Sequence, residues 1–212
     1  MTGRPTAEAP NPRPLQLAFS HLNLRRNPFG ALDRMTRAEL AVVPAIEVGE
    51  NEVVQFMGQA GRGKTTHLLA LHLRWPGSVY EYIPEGSDRY HTRSLPAVGF
   101  LLDEAQRLPP RRLRRMFARA RRLVLATHED VSRYSRRPVR TIEIAGLSAA
   151  KLNAIAEARI ESARRAPGPI PRLSADACER LVQLHGDDLR AIEYHLYGVF
   201  QELPEVCDVE EV

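Results

Sequence analysis

The stretch VVQFMGQAGRGKTTHLLALHLRW, residues 53–75, joins a short apolar run to a glycine-rich turn and then to apolar residues at helical spacing. The first part predicts a buried strand, and the leucines between 68 and 73 predict a helix. Lys64 lies between the two. Of the 30 lysines and arginines in the chain, only Lys64 and Lys151 are lysines. A lysine in such an arginine-rich chain indicates a position that needs a compact ammonium rather than a planar guanidinium.

The turn itself satisfies the pattern G-x-x-x-x-G-K-[ST], in the strand–turn–helix context that the pattern requires. Its glycines let backbone amides turn inward toward phosphate oxygens, and the helix amino end adds its positive dipole. We predict that Lys64 reaches the β- and γ-phosphates of ATP and that the Thr65 hydroxyl ligates Mg²⁺. The alternative is a glycine-rich turn with a solvated lysine. The residues predicted to bind the nucleotide are Gly58, Gln59, Ala60, Gly61, Arg62, Gly63, Lys64, Thr65 and Thr66.

An acidic pair follows the apolar run AVGFLLDE, residues 97–104, which predicts a strand buried on both faces. We expect Asp103 to hold the Mg²⁺ shell and Glu104 to orient and deprotonate the attacking water, because the γ-phosphoryl group must be met in line by a positioned nucleophile. An acidic pair after a strand is by itself more often the solvated start of a loop. The upstream glycine-rich turn favours the catalytic interpretation here.

Two later polar residues complete the predicted site. Thr127 ends the strand-like run RLVLATHED and is expected to contact the γ-phosphate or the attacking water, with His128 as the neighbouring alternative. Arg190 lies one turn into a helix, from which it would reach the phosphates if that helix packs over the nucleotide. Otherwise it is an exposed arginine paired with Asp187 or Glu193. The predicted catalytic residues are Lys64, Glu104, Thr127 and Arg190.

Strand-like and helix-like segments alternate from Val53 to Leu147 and predict an α/β fold with a mostly parallel sheet covered on both faces. After Leu147 the patterns are helical only. One helix is predicted to begin after Ser148, and another to begin after Ser174 and stop at Gly186, with a third helix following. The expected fold is a three-layer P-loop NTPase core followed by a small all-α lid subdomain.

Four parts are predicted along the chain. Residues 1–15, with four prolines and few apolar side chains, are expected to form a flexible tail. Residues 16–147 form the nucleotide-binding core and residues 148–203 the helical lid. Residues 204–212 form an acidic tail, which either covers a basic surface of the same chain or serves as a docking peptide.

The basic surface is predicted in residues 107–140, which hold twelve arginines against Glu129 and Asp130, although the net charge of the chain is only +4. A helix here would bury Leu113, Met116, Phe117 and Ala120 on one stripe. Its arginines, mostly off that stripe, form either a plain solvated face or a surface for DNA, RNA or a protein partner. They are Arg111, Arg112, Arg114, Arg115, Arg119 and Arg122. Arg136 or Arg137 is a candidate arginine finger for a neighbouring subunit.

Several classes of protein are disfavoured. The amino-terminal sequence has no hydrophobic segment after its first arginine, and no apolar run approaches the ~20 residues needed to span a bilayer. Cys178 and Cys207 match no metal-ligand spacing, so we expect them to be reduced thiols. These features predict a cytoplasmic protein without membrane insertion.

The motifs GQAGRGKTT, LLDEAQ, ATHED and GDDLRAIEYHLY resemble the Walker A, Walker B, sensor 1 and sensor 2 elements of AAA+ ATPases, over roughly residues 24–200. RRNPFG and Gln106 are similar to features of the bacterial ATPases that assist transposition and secretion-pathway assembly. The resemblance implies ATP bound between core and lid, hydrolysis when subunits of a homo-oligomer meet, and mechanical use of the motion. The segment before LLDEAQ is shorter than in family members, which carry a helix there, so translocation through pore loops is not implied.

Three functions follow as hypotheses. The leading one is a Mg²⁺-dependent ATPase coupled to assembly or remodelling of a protein or DNA partner. The second is a nucleotide-gated binding module that hydrolyses ATP slowly or not at all. The third, a small-molecule or nucleotide kinase, is disfavoured because residues 85–96 leave little room for an acceptor pocket.

Overall fold

The structure, a computed structural model, describes residues 18–210 and 212. The predicted tail of residues 1–15 lies outside the described residues. The elements in chain order are α1 (Arg34–Glu39), β1 (Val53–Met57), α2 (Lys64–Arg74), β2 (Val79–Tyr82), β3 (Phe100–Asp103), α3 (Pro110–Arg119), β4 (Leu123–Thr127), β5 (Val139–Glu143), α4 (Ala149–Ser162), β6 (Arg172–Leu173), α5 (Ala175–His185), α6 (Leu189–Glu202) and β7 (Asp208–Val209). Short 3-10 turns occupy Ser20–Leu22, Ala105–Arg107 and Ser132–Tyr134.

Five strands form one parallel sheet in the order β2-β3-β4-β1-β5. Successive residues of each strand point to opposite faces, so the sheet carries two apolar clusters. Val54 and Phe56 pack with Leu68 and Leu71 of α2 on one face, while Phe100, Leu102 and the apolar stripe of α3 pack on the other. The prediction of an α/β fold with a parallel sheet is confirmed.

The strand order brings the predicted site residues to one edge of the sheet. β1 lies between β4 and β5, and β3 lies beyond β4. All five strands run in the same direction, so their carboxyl ends meet at one edge, which is where open α/β sheets bind ligands. Asp103 and Thr127 end β3 and β4, and Met57 ends β1 directly before the glycine-rich turn.

The three long helices after the sheet form a separate apolar cluster. α4 and α5 begin where the sequence predicts, because the hydroxyls of Ser148 and Ser174 accept hydrogen bonds from the first-turn amides of Lys151 and Ala177. Strands do not stop at Leu147, however. The two-residue strands β6 and β7 pair in parallel beside this cluster.

The first described residues, which the sequence assigns to the core segment, pack on the helices that follow the sheet. Leu22, Leu24 and Phe29 belong to the helical cluster rather than to the sheet. Arg159 of α4 holds them there: its guanidinium donates to the Pro28 and Gly30 carbonyls, both at 3.0 Å, and forms a buried ion pair with Glu193. These contacts join residues far apart in the chain, so local sequence patterns do not reveal them.

The described part of the acidic tail also packs on the helices. β7 pairs with β6, and Val209 is buried in the helical cluster. Residues 204–210 therefore do not lie over the arginines of α3. Of the two roles predicted for this tail, the cover over the basic surface is excluded for the residues described.

Candidate functional site

A cavity of about 750 Å³ opens at the carboxyl edge of the sheet, between the glycine-rich turn and helices α4 and α6. The turn supplies Gly61 and Gly63 with φ angles of +81° and +89°, values that side-chain-bearing residues rarely adopt. Gly63 directly precedes α2, so the amino end of that helix faces the cavity. Unpaired amides and the helix dipole make this end of α2 suited to an anion.

Lys64 is 5% exposed and lines this cavity. Its Nζ donates to the carbonyls of Gly58 and Gln59, both at 2.8 Å, and lies 3.5 Å from Nδ1 of His128. Burial lowers the pKa of Lys64, while the nearby carboxylates of Glu104 and Asp103 act in the opposite direction. The ammonium thus sits at the base of the turn, where a phosphate oxygen can replace one of its present partners.

Asp103 and Thr65, the predicted metal ligands, are in direct contact. Oγ1 of Thr65 donates to Oδ2 of Asp103 at 2.7 Å, and the carboxylate is fully buried. Tyr80 of β2 donates to the same oxygen at 3.0 Å. The other oxygen, Oδ1, accepts from the backbone amide of Glu104. Burial and the Asp103 charge raise the pKa of Tyr80, so its hydroxyl remains a donor at neutral pH.

Tyr80 is a site residue that the sequence analysis missed, because only the pairing of β2 with β3 brings it to Asp103. We expect Tyr80→Phe to raise the Mg²⁺ concentration for half-maximal ATP turnover about tenfold, as removal of an outer-shell partner of a metal ligand does. ATP binding in the presence of EDTA should stay unchanged. Tyr194→Phe, at an exposed tyrosine of α6, is the control. An unchanged Mg²⁺ requirement in Tyr80→Phe would show that this hydroxyl does not position the carboxylate.

Glu104 sits in the left-handed region, with φ +60°, although it is not a glycine. Its carboxylate accepts from Nε2 of Gln106 at 2.8 Å and from Nε2 of His128 at 3.1 Å. Arg107 lies 3.4 Å from the same carboxylate. Backbone strain of this kind concentrates at functional sites. In this conformation the Glu104 carboxylate reaches His128, which directly follows β4.

His128 rather than Thr127 lines the cavity. Its ring bridges Lys64 and Glu104, and both contacts are satisfied by the tautomer that carries the proton on Nε2. Thr127 is fully buried beneath the turn, where its carbonyl accepts from the Gly58 amide. Its Oγ1 has no hydrogen-bond partner among the described residues. The predicted contact of Thr127 with phosphate or water therefore stays a prediction. His128 is the residue of this pair that lies beside Lys64 and Glu104.

Arg190 is exposed at the cavity wall and forms no ion pair within residues 18–210. The two acids proposed as its alternative partners are engaged elsewhere. Asp187 pairs with Arg62 of the glycine-rich turn at 2.8 Å and accepts from the Leu147 amide at 2.7 Å, while Glu193 pairs with Arg159. The Arg62 contact links the turn to the start of α6, an arrangement that the sequence analysis did not find.

The rest of the cavity wall combines apolar side chains with additional cations and with the acids Asp187 and Glu193. Lys151, in the first turn of α4, also lines the cavity, so both lysines of the chain face the same space. No carboxylate lies within 4 Å of Lys151 among the described residues. The apolar lining comes from Leu32, Val42, Val43, Leu69, Ile155 and Leu189. A cavity with apolar walls and a cluster of cations suits a ligand that has both an aromatic part and a polyphosphate.

The donor set fits Mg²⁺ bound together with a nucleotide. No group of three or more His, Cys, Asp or Glu residues that could hold a metal is present in the part of the chain that the structure describes. Mg²⁺ is usually held by one or two carboxylates, with substrate phosphates and water completing its shell. The contact between Asp103 and Thr65 provides one carboxylate and one hydroxyl of that kind beside Lys64.

Comparison with protein-family models and with curated proteins gives no match for this chain. Among the described residues, no helix is long and apolar enough to cross a membrane.

Proposed function

We propose that this protein is a Mg²⁺-dependent ATPase with a P-loop NTPase core and a helical lid, similar to AAA+ ATPases. It hydrolyses ATP to ADP and phosphate and uses the reaction to assemble or remodel a protein or DNA partner. The bacterial ATPases that assist transposition and secretion-pathway assembly are the group that its motifs resemble.

One observation carries this proposal. The Thr65 hydroxyl lies 2.7 Å from the Asp103 carboxylate, although Thr65 belongs to helix α2 and Asp103 ends strand β3. Lys64 precedes Thr65, and Glu104 follows Asp103, so four predicted residues meet in one cavity. A glycine-rich turn with only a solvated lysine would leave Lys64 exposed, whereas the side chain is buried among carbonyls and His128.

Each residue has a distinct task in this proposal. The loop amides and Lys64 bind and orient the β- and γ-phosphates, and Arg62 and Arg190 add charge at the cavity mouth. Mg²⁺, held by Thr65 and Asp103, would neutralise charge on the phosphate oxygens. Glu104 accepts a proton from the attacking water, and the apolar wall excludes bulk water around the base and ribose.

The alternative, a nucleotide-gated binding module without appreciable hydrolysis, is supported by the environment of Glu104. Its carboxylate is occupied by Gln106, Arg107 and His128. A carboxylate with these partners binds water less readily than a free one. In this alternative, ATP binding orders α6 over the glycine-rich turn, and the reaction itself is incidental.

A direct titration of the full chain tests the proposal. With Mg²⁺ present, ATP at 100 times its Kd should stabilise the fold by about 2.7 kcal/mol, measured as a rise in the thermal unfolding midpoint. Phosphate release should be measurable, and light scattering with a slowly hydrolysed ATP analogue should show association of subunits. Binding without phosphate release would favour the module. The absence of any ATP-dependent stabilisation would contradict both.

A further inference from the structure

Apart from Pro110 and Ala118, the exposed residues of α3 are all arginines. The helix buries Leu113, Met116 and Phe117 against the sheet and leaves its other side to solvent. We call this surface the arginine face, and it consists of Arg111, Arg112, Arg114, Arg115, Arg119 and Arg121, all exposed. Arg122, predicted to belong to it, is instead half-buried after the helix end.

Most of the other arginines in residues 107–140 differ from the arginine face because they contact carbonyls, hydroxyls or carboxylates of the same chain. Arg107 donates to the Ile83 carbonyl and to the Tyr82 hydroxyl. Arg137 donates to the Ala120 carbonyl, so this candidate arginine finger is committed within its own chain. Arg140 pairs with Glu52. The charge of the arginine face is therefore not explained by the folding contacts that occupy its neighbours.

Almost no acid compensates this surface. Helix α3 contains no acidic residue, and the one ion pair of the arginine face among the described residues joins Arg112 to Asp88 at 4.0 Å. Asp88 is itself 67% exposed, so that pair is weak. Arg111, Arg115 and Arg119 follow one another at four-residue spacing, where like charges destabilise a helix. A bound polyanion would relieve this repulsion.

The acidic residues described at the end of the chain do not neutralise the arginine face. The described acidic tail packs on the helical cluster through β7 and Val209. Residues 1–17 contain a single acid, Glu8, and two arginines of their own. This distribution of acids favours a separate molecule as the neutralising partner.

The composition of the surface identifies the class of partner. Residues 107–140, all of them described, expose no large apolar side chain, whereas the centre of a protein–protein interface is apolar and depleted in charge. Single-stranded nucleic acid is usually held by exposed aromatic rings. The one tyrosine of residues 107–140, Tyr134, already lies beneath Arg133 and Arg114, at 4.9 and 5.7 Å from its ring centre. The four-residue spacing of arginines on the arginine face, their charge and their exposure fit the phosphate backbone of a double-stranded nucleic acid.

We propose that the arginine face binds the sugar–phosphate backbone of a double-stranded nucleic acid without reading its sequence. This inference goes beyond the proposed ATPase and stands on different residues, so either can fail alone. Backbone contacts release counterions, and log K then falls with log[salt] with a slope of about −0.9 per phosphate contacted. Non-specific binding of this kind has a Kd of roughly 10⁻⁴ to 10⁻⁶ M at physiological salt.

Fluorescence anisotropy with a labelled mixed-sequence duplex tests the proposal, using the full chain without nucleotide. The variant Arg111→Gln/Arg115→Gln/Arg119→Gln should bind at least tenfold more weakly, with a salt slope shallower by about 2.7 because three contacts are lost. The control Arg25→Gln/Arg26→Gln/Arg165→Gln removes the same charge from exposed arginines on the helical cluster and should bind like the wild type. Replacement of the same three α3 arginines by lysine should restore most of the affinity. Restored affinity in the lysine variant would show that the glutamine variant binds weakly because it lost charge and not because it misfolded.

Duplex DNA and duplex RNA are compared in parallel, because both present the same backbone chemistry, and preferential binding of either supports the proposal and names the source. Equal weakening in the control variant would mean that overall charge, not the arginine face, governs binding. Unchanged affinity in the α3 variant would overturn the proposal. So would tighter binding of poly-glutamate or of a single strand than of duplex.

Discussion

Lys64→Met is expected to weaken ATP binding about 100-fold or more, because charge-assisted hydrogen bonds to phosphate contribute roughly 1.5–3 kcal/mol each. Nζ of Lys64 already donates to two carbonyls of the glycine-rich turn, so its position beneath the phosphates is set before nucleotide enters. Such preorganisation means that little additional ordering is needed on binding. Isothermal titration with ATP and Mg²⁺ measures the loss.

Methionine is the suitable replacement because it keeps nearly the length of the side chain while it removes the ammonium and its hydrogen bonds. Burial lowers the pKa of Lys64, which means that the fold disfavours the charged form relative to water. The neutral variant loses the donor to the Gly58 and Gln59 carbonyls as well as the charge, so its thermal midpoint must be shown to match that of the wild type. If the variant were less stable than the wild type, unfolding would also explain a loss of ATP binding.

Lys151→Met provides the matched control, since it removes the other lysine from the wall of the same cavity. Lys151 lies in α4 and not in the glycine-rich turn, so its loss should cost less than about tenfold in affinity. Equal affinities of the wild type and Lys64→Met would remove the basis of the proposed function. Equal losses in the two variants would mean that the cavity responds to total charge instead of to one placed ammonium.

Much of this site could be predicted because its signals are local. The strand, turn and helix of residues 53–75 lie next to one another in sequence, and Gly63, with its positive φ, stands where the motif requires a glycine. Ser148 and Ser174 likewise cap their helices through amides three residues on. Patterns of this length depend on backbone hydrogen bonds within one turn, which the neighbouring residues determine.

Contacts between distant segments could not be predicted in the same way. Tyr80 reaches Asp103 only because β2 pairs with β3 in one register. Residues 19–30 pack on α4 through Arg159, about 130 positions away, with separations of 131 to Pro28 and 129 to Gly30. Asp187 meets Arg62 across a separation of 125. The hydrophobic periodicity of a segment says which side is buried but not which element covers it.

The second large effect is expected at Glu104. Glu104→Gln should leave ATP affinity unchanged and lower the rate of phosphate release about 100-fold or more, the range that a general base contributes. Glutamine keeps the shape of the side chain and its backbone preference, so the left-handed conformation at φ +60° is retained. Glycine would be a poor choice, since it would relieve that backbone strain and change stability as well as chemistry.

ATP binding and ATP turnover must be measured separately on this variant, because the ATPase and the binding module differ in how much turnover accompanies binding. Glu129→Gln is the control for charge near the cavity. Glu129 is an exposed acid two residues past Thr127, and among the described residues it pairs only with Arg133, at 3.9 Å. Loss of ATP affinity in Glu104→Gln would assign the residue to binding. Unchanged phosphate release would remove it from catalysis and leave its contacts with Gln106, Arg107 and His128 as a structural network.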